Sequence, residues 1–179
     1  MTRNDYIMQF DELAVARFVL PETIEAIGRF TITWNLFEHN YLNNKGSEKA
    51  LSELSFSPID DETMTVLNEL IEYFRRSFLD YYRFDQQVFD DHLIIEKFYH
   101  SKMTRSSHVL QIKDFLNYEN SDLKACLYAI CRIRNNLLHG EKDIYSIDGQ
   151  RYLINTASEI LAFLNKEEML KYREMQQDY

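Results

Sequence analysis

The sequence is poor in the residues that turn a chain. Only four of its 179 residues are glycine and two are proline, against roughly 12% for the two together in average usage. That shortage excludes sandwiches, barrels and other folds built on many tight turns. Cysteine is nearly missing: Cys126 and Cys131 are the only two. Five positions apart on one expected helix, they cannot bridge without breaking it, so the thiols read as free and the compartment as reducing. No run approaches the ~18 apolar residues of a membrane span. The first residues, Met1 to Asp5, lead into mixed polar sequence with no apolar stretch before a cleavage site. We therefore expect a cytoplasmic protein with no membrane partner. Basic charge is also short, with 20 Lys and Arg against 29 Asp and Glu, a net charge of -9. A protein that coats nucleic acid would show a basic face instead.

Apolar and aromatic side chains are abundant, at 45% hydrophobic with 12 Tyr and 12 Phe, and they recur at helical spacing nearly throughout. Pro21 and Glu22 suit a first helical turn. Behind them Ile27, Phe30, Trp34, Phe37 and Tyr41 form a stripe that ends near Asn43, Asn44 and Gly46. Asp60 or Asp61 can start a second long helix, with the stripe Met64, Leu67, Ile71, Phe74, Phe78 and Tyr81. Two shorter helices are expected within 85–118. Ser121 and Asp122 then open a helix running to His139, with Gly140 placed to stop it. Asp148 and Gly149 suit a turn or a small hairpin, and a last helix carries Leu153, Ala157, Ile160, Leu161 and Leu164. The charged tail from Lys166 either extends that helix or frays. No repeat, low-complexity tract or linker divides the chain, so residues 1–179 read as a single all-α domain.

Local rules break at one place, Cys131-Arg132-Ile133-Arg134-Asn135-Asn136-Leu137-Leu138-His139-Gly140. At about 100° per residue, Leu123, Leu127, Ile130, Cys131, Leu137 and Leu138 all fall within about 60° of Arg134. Arg134 thus sits in the middle of the apolar stripe of its helix. A guanidinium there must be paired, or face a wet cleft or a phosphate, because stranding it costs several kcal/mol. A buried ion pair with Glu38 is one way to satisfy it, and a snorkelling side chain is another. His139 occupies the last turn, where the helix dipole favours the imidazolium and suits it to proton transfer or simply to capping. Arg132 and Asn136 share the polar face next to it.

Arg134-Asn135-Asn136-Leu137-Leu138-His139 resembles the R-x4-6-H signature of HEPN domains, including the polar residue directly after the arginine and the glycine that follows the histidine. Arg132 also meets the longer spacing, but it is not followed by a polar residue. The placement agrees: the motif closes the penultimate long helix of a helical chain, before a loop and a final helix. Trp34-Asn35-Leu36-Phe37-Glu38 also looks like the early helix of many HEPN proteins.

The resemblance implies a HEPN-like up-and-down helical bundle with additional short helices. It also implies a metal-independent endoribonuclease that cleaves single-stranded RNA through attack of its own 2′-hydroxyl, in a cleft shared by a homodimer, in a toxin or antiphage system. In that reading Arg134, His139 and Asn135 are catalytic, and Arg132, Asn136 and Lys142 bind substrate. Glu38 supports Arg134 from behind, no metal or cofactor takes part, and RNA and an antitoxin or regulatory protein are the partners. The alternative is a silent HEPN module that binds a nucleotide or a protein. Glu141 stands where toxins of this family silenced by a nucleotidyltransferase carry a modified tyrosine, which puts that form of silencing in doubt. His39, His92, His100 and His108 show no metal-ligand spacing. Arg75, Arg76, Arg83, Lys97, Lys102 and Arg105 are candidate phosphate contacts outside the cleft, or simply a solvated helix face.

Overall fold

The computed structural model describes residues 19–56, 60–85, 112, 114–116, 123–138 and 147–177. Five α-helices lie among them: α1 (Pro21–Tyr41), α2 (Glu48–Glu53), α3 (Asp61–Asp85), α4 (Leu123–Leu138) and α5 (Arg151–Gln177). A single 3-10 turn, Ile147–Gln150, leads into α5. No strand occurs among the described residues, so the all-α class read from the scarcity of turn-formers is what forms.

Each start has a local cause. Pro21 occupies the first turn of α1, where its missing N–H costs nothing. The Leu20 N–H ahead of it donates to Asp148 Oδ1 at 3.0 Å, across 128 residues of sequence. Ser47 accepts from the Ala50 N–H at 3.2 Å and caps α2, a short helix that the spacing of apolar residues did not reveal. Asp60 accepts from the Thr63 N–H at 2.9 Å and caps α3. That hydrogen bond holds the Asp60 carboxyl below its ordinary value.

Both expected stripes turn inward. Phe30, Trp34 and Phe37 on α1, and Leu67, Ile71, Phe74, Phe78 and Tyr81 on α3, are buried. Ile27, Tyr41 and Met64 are partly buried against the same core. α1 and α5 form the most extensive pairing and run parallel. Leu20 meets Asp148 at one end, while at the other Tyr41 donates to the Leu164 carbonyl and Asn40 to Asn165 Oδ1. Asn165 is fully buried and donates to the carbonyls of Thr33 and Leu161, which fixes the register of the two helices. α3 packs along α5, its C-terminal half beside the 3-10 turn, where the Gln150 amide donates to the Tyr81 hydroxyl at 3.0 Å.

α4 departs from expectation. Every residue from Ala125 to Cys131, and Ile133 and Asn136 after it, is buried. Of the polar face expected for Arg132 and Asn136, Arg132 stays half-buried while Asn136 is enclosed by the core. Lys124, at its start, donates to the carbonyls of Ser52 and Leu54 at 2.7 and 3.2 Å, satisfying the end of α2. Asp148 and Gly149 lie in the 3-10 turn, so the hairpin alternative does not form. The charged tail continues α5 as helix to Gln177. The two short helices expected within 85–118 lie mostly outside the described residues, but Ile112 and Asp114–Leu116 are helical, with Ile112, Phe115 and Leu116 buried.

Candidate functional site around Arg134

The site is assembled where the C-terminal turn of α1 meets the last turns of α4. α1 ends in two successive left-handed residues, Asn43 (φ 50°) and Asn44 (φ 59°), a conformation that asparagine tolerates better than most side chains. The N–H groups of Leu42 and Asn44 return to the Glu38 carbonyl at 3.1 and 3.0 Å. This reversal carries the chain back along the helix and brings Gly46 against the Glu38 side chain.

Glu38 is held by two neutral donors. Its Oε2 accepts from the Trp34 indole N–H at 2.7 Å, one helical turn earlier. Its Oε1 accepts from the Gly46 backbone N–H, also at 2.7 Å. Only glycine permits that approach, since a Cβ at position 46 would lie 2.6 Å from the carboxylate. With both oxygens fixed, the carboxylate is a preorganised negative charge on a side chain only 16% exposed.

Arg134 reaches this carboxylate from α4. Its Nη2 lies 3.8 Å from Glu38 Oε2, an ion-pair distance but too long for a hydrogen bond. The guanidinium sits over the Trp34 ring, with Cζ 5.9 Å from the centroid, at the edge of the range in which a ring face attracts a cation. Nη1 donates to Asn135 Oδ1 at 3.1 Å. The buried Nε has no hydrogen-bond partner. A guanidinium carries five N–H donors, and the described residues engage one of them directly. Its side chain stays 24% exposed, so the Nη donors left over, unlike the buried Nε, can meet water or an anionic group. The arginine in the apolar stripe is thus stacked, countered by a charge and still open on one side.

The remaining expected residues are distributed unevenly. Asn135 is half-buried, with Nδ2 4.0 Å from the Cys131 sulfur and Oδ1 on Arg134. Arg132 is half-buried on the same helix. Asn136, expected to contact substrate, is fully buried. It offers no surface to a ligand, because α4 is enclosed on the side where that face was expected. His139 and Lys142 lie outside the described residues, His139 directly after the last residue of α4. Among the outlying cations, Arg75 is 1% exposed and not a phosphate contact. It pairs with Glu72 and stacks 4.3 Å above Phe115. Arg76 is exposed, and Lys97, Lys102, Arg105 and the Arg83 side chain lie outside the described residues.

Sequence reasoning assigned Trp34 to the core stripe and to the Trp34–Glu38 segment of the resemblance, and Gly46 only to a helix end. Both belong to the cradle. Two signals point to them: Trp34 and Glu38 are one turn apart, and a pair of asparagines precedes a glycine where the helix must stop. Cys126 and Cys131 are both buried and free. Burial pushes the Cys126 thiol well above its ordinary pKa, against the opposing pull of nearby Arg75. Among the described residues no three His, Cys, Asp or Glu side chains converge to hold a metal ion, and no helix is long and apolar enough to cross a membrane. Comparison with protein families, curated proteins and solved structures finds no match to this chain.

Proposed function

We propose that this chain is a metal-independent endoribonuclease of the HEPN type, acting on single-stranded RNA in a cleft completed by a second copy of itself. The observation that carries the reading is Arg134, a cation on a buried helix that retains unsatisfied donors and an open side. Such a group costs stability unless it is used.

In the proposed reaction the RNA 2′-oxygen attacks the adjacent phosphorus, and the bond from phosphorus to the 5′-oxygen breaks. The 2′-hydroxyl proton goes to a base, and a proton reaches the departing 5′-oxygen. The products are a 2′,3′-cyclic phosphate and a 5′-hydroxyl. Arg134 supplies permanent positive charge to the transition state through donors that Glu38 positions but does not occupy. Asn135 limits the rotation of the guanidinium. His139, one residue beyond α4, transfers protons. On a straight helix Arg134 and His139 point about 140° apart, so a bend at the helix end or a contribution across a two-fold axis brings them onto one phosphate. The net charge of -9 means that positive potential is confined to the cleft. Binding is then selective by fit and weak toward polyanions in general.

The second reading, a silent HEPN module that binds a nucleotide or a partner protein, is favoured by one observation: Glu38 lies close enough to offset much of the Arg134 charge. A toxin or antiphage role with an antitoxin partner belongs to the first reading. Purified protein is expected to cleave single-stranded RNA in EDTA, leaving a cyclic phosphate. Arg134→Ala and His139→Ala are expected to lower the rate by a factor on the order of 100 or more. Undiminished cleavage by both variants, or loss of activity in EDTA, sinks the mechanism. An inactive wild-type protein, tested on varied RNAs including tRNA, favours the silent module.

A further inference from the structure

A concave surface lies at the end of the bundle away from Arg134. It is a groove of about 550 Å³ between α3 and the start of α5. Asp148, next to its wall, is tied to Leu20 at the start of α1, whereas Glu38 lies 18 residues further along the same helix. That separation is roughly 27 Å, so the groove is distinct from the Arg134 site.

Its walls are aromatic and its rim is charged. Tyr73 on α3 and Tyr152 on α5 line it while remaining 52% and 62% exposed, two of the largest apolar side chains left in solvent. Arg151 sits over the Tyr152 ring, 5.1 Å from its centroid, and supports it from the side. Tyr81 forms the floor, buried and fixed by its bond from Gln150. Gly149 keeps the floor reachable, since a Cβ there would press on the Tyr81 ring at 3.3 Å. Arg76 and Asp80 also line the groove, both exposed. They stand one helical turn apart, about 6 Å between Cβ atoms, and no ion pair engages either one among the described residues.

We propose that this groove binds a guanine nucleotide, with the base stacked on Tyr73 and Tyr152, its edge on Asp80 and its phosphate on Arg76. Exposed tyrosines flanking a slot offer ring faces that any base can stack on. The polar pair selects among bases. A carboxylate accepts hydrogen bonds only. Guanine presents two adjacent N–H donors on its pairing edge, whereas adenine presents a single amino group there. The Arg76 guanidinium one turn away, which no ion pair engages among the described residues, suits a phosphate. Guanosine monophosphate and a guanine within single-stranded RNA share this chemistry.

The test is calorimetric titration of the full chain with GMP, with AMP, and with short oligoribonucleotides that contain or lack guanine. Arg76, Asp80 and Tyr152 are exposed, so their variants keep the core, which far-UV circular dichroism checks. GMP is expected to bind more tightly than AMP. Tyr152→Ala and Arg76→Ala are each expected to weaken GMP about tenfold, and Asp80→Asn to erase the preference over AMP. Guanine oligonucleotides that bind more tightly than GMP identify RNA as the source, and the reverse order identifies the free nucleotide. Arg134→Ala is expected to bind GMP as the wild type does, so this result stands or falls apart from the nuclease reading. Failure of both GMP and the guanine oligonucleotides to bind at millimolar concentration overturns the proposal. So does binding that survives Tyr152→Ala and Arg76→Ala, or a preference untouched by Asp80→Asn.

Discussion

Arg75 and Arg134 are built from the same parts and differ in how far solvent reaches them. Each lies against an aromatic ring, Phe115 at 4.3 Å for Arg75 and Trp34 at 5.9 Å for Arg134. Each has a carboxylate partner, Glu72 and Glu38 respectively. The Arg75 side chain is 2% exposed, and its partner, 36% exposed, is on the same helix one turn away. The Arg134 side chain is 24% exposed, and its partner comes from another helix and is also held by two other donors. A closed guanidinium with a local partner is part of the core. An open one, beside a carboxylate whose oxygens are already engaged, keeps donors within reach of solvent, as the proposed function requires. Stacking and charge pairing do not separate the two arginines; access and the origin of the partner do.

Stability measurements can break this comparison most directly. Arg75→Ala removes a fully buried side chain of α3 together with its stacking, and is expected to cost about 2–5 kcal/mol in urea denaturation. Arg134→Ala removes a screened, partly exposed pair and is expected to cost less than about 1 kcal/mol. Equal costs would dissolve the distinction.

Gly46→Ala sharpens it from the other side. The new methyl displaces the Glu38 carboxylate, at an expected cost of about 1–3 kcal/mol. Trp34 is the sole tryptophan, so the indole N–H resonance and the emission maximum should both move. An unchanged indole signal would mean that Glu38 does not depend on the loop for its position.

The smallest effect concerns Cys126, which borders the Arg75 region. Burial raises its pKa in the folded state, so the folded protein favours the neutral thiol. The corresponding stability is fully present below the thiol's ordinary value of 9.0 and is lost as pH rises beyond it, because the unfolded chain then releases the proton. Stability should be flat in this respect from pH 6 to 8 and fall above about 9. Thiol reagents should label neither cysteine until the protein unfolds. Rapid labelling of the native protein would place Cys126 nearer solvent than its burial indicates.

Much of the fold was legible because burial follows period. The stripes on α1 and α3, the cap at Asp60 and the start at Pro21 all lie where spacing and local chemistry put them. α2 was not legible, because a helix of its length offers too few residues to display a period. The enclosure of α4 was not legible either. Periodicity reports one apolar face well, but it placed Asn136 on a polar edge with Arg132, whereas Asn136 is buried and Arg132 half-buried. The Arg134–Glu38 pairing could be read as one way of satisfying a cation in an apolar stripe. The cradle that fixes Glu38 could not, because it depends on a backbone N–H from the loop after α1 and on a left-handed pair of asparagines. The asparagine pair and the glycine mark where the helix stops, but not that the Gly46 N–H reaches Glu38.

The burial of most of α4 has a consequence for how this protein can change over evolutionary time. Residues that flank Arg134 on its own helix, such as Cys131, Ile133 and Asn136, are also core residues. A substitution there that improved the fit of a ligand would at the same time create a cavity or a clash. Drift in specificity is therefore pushed off the helix that carries the arginine. It falls instead to the loop from Asn43 to Gly46, where a single backbone change resets the position of the opposing carboxylate at little expense to the core.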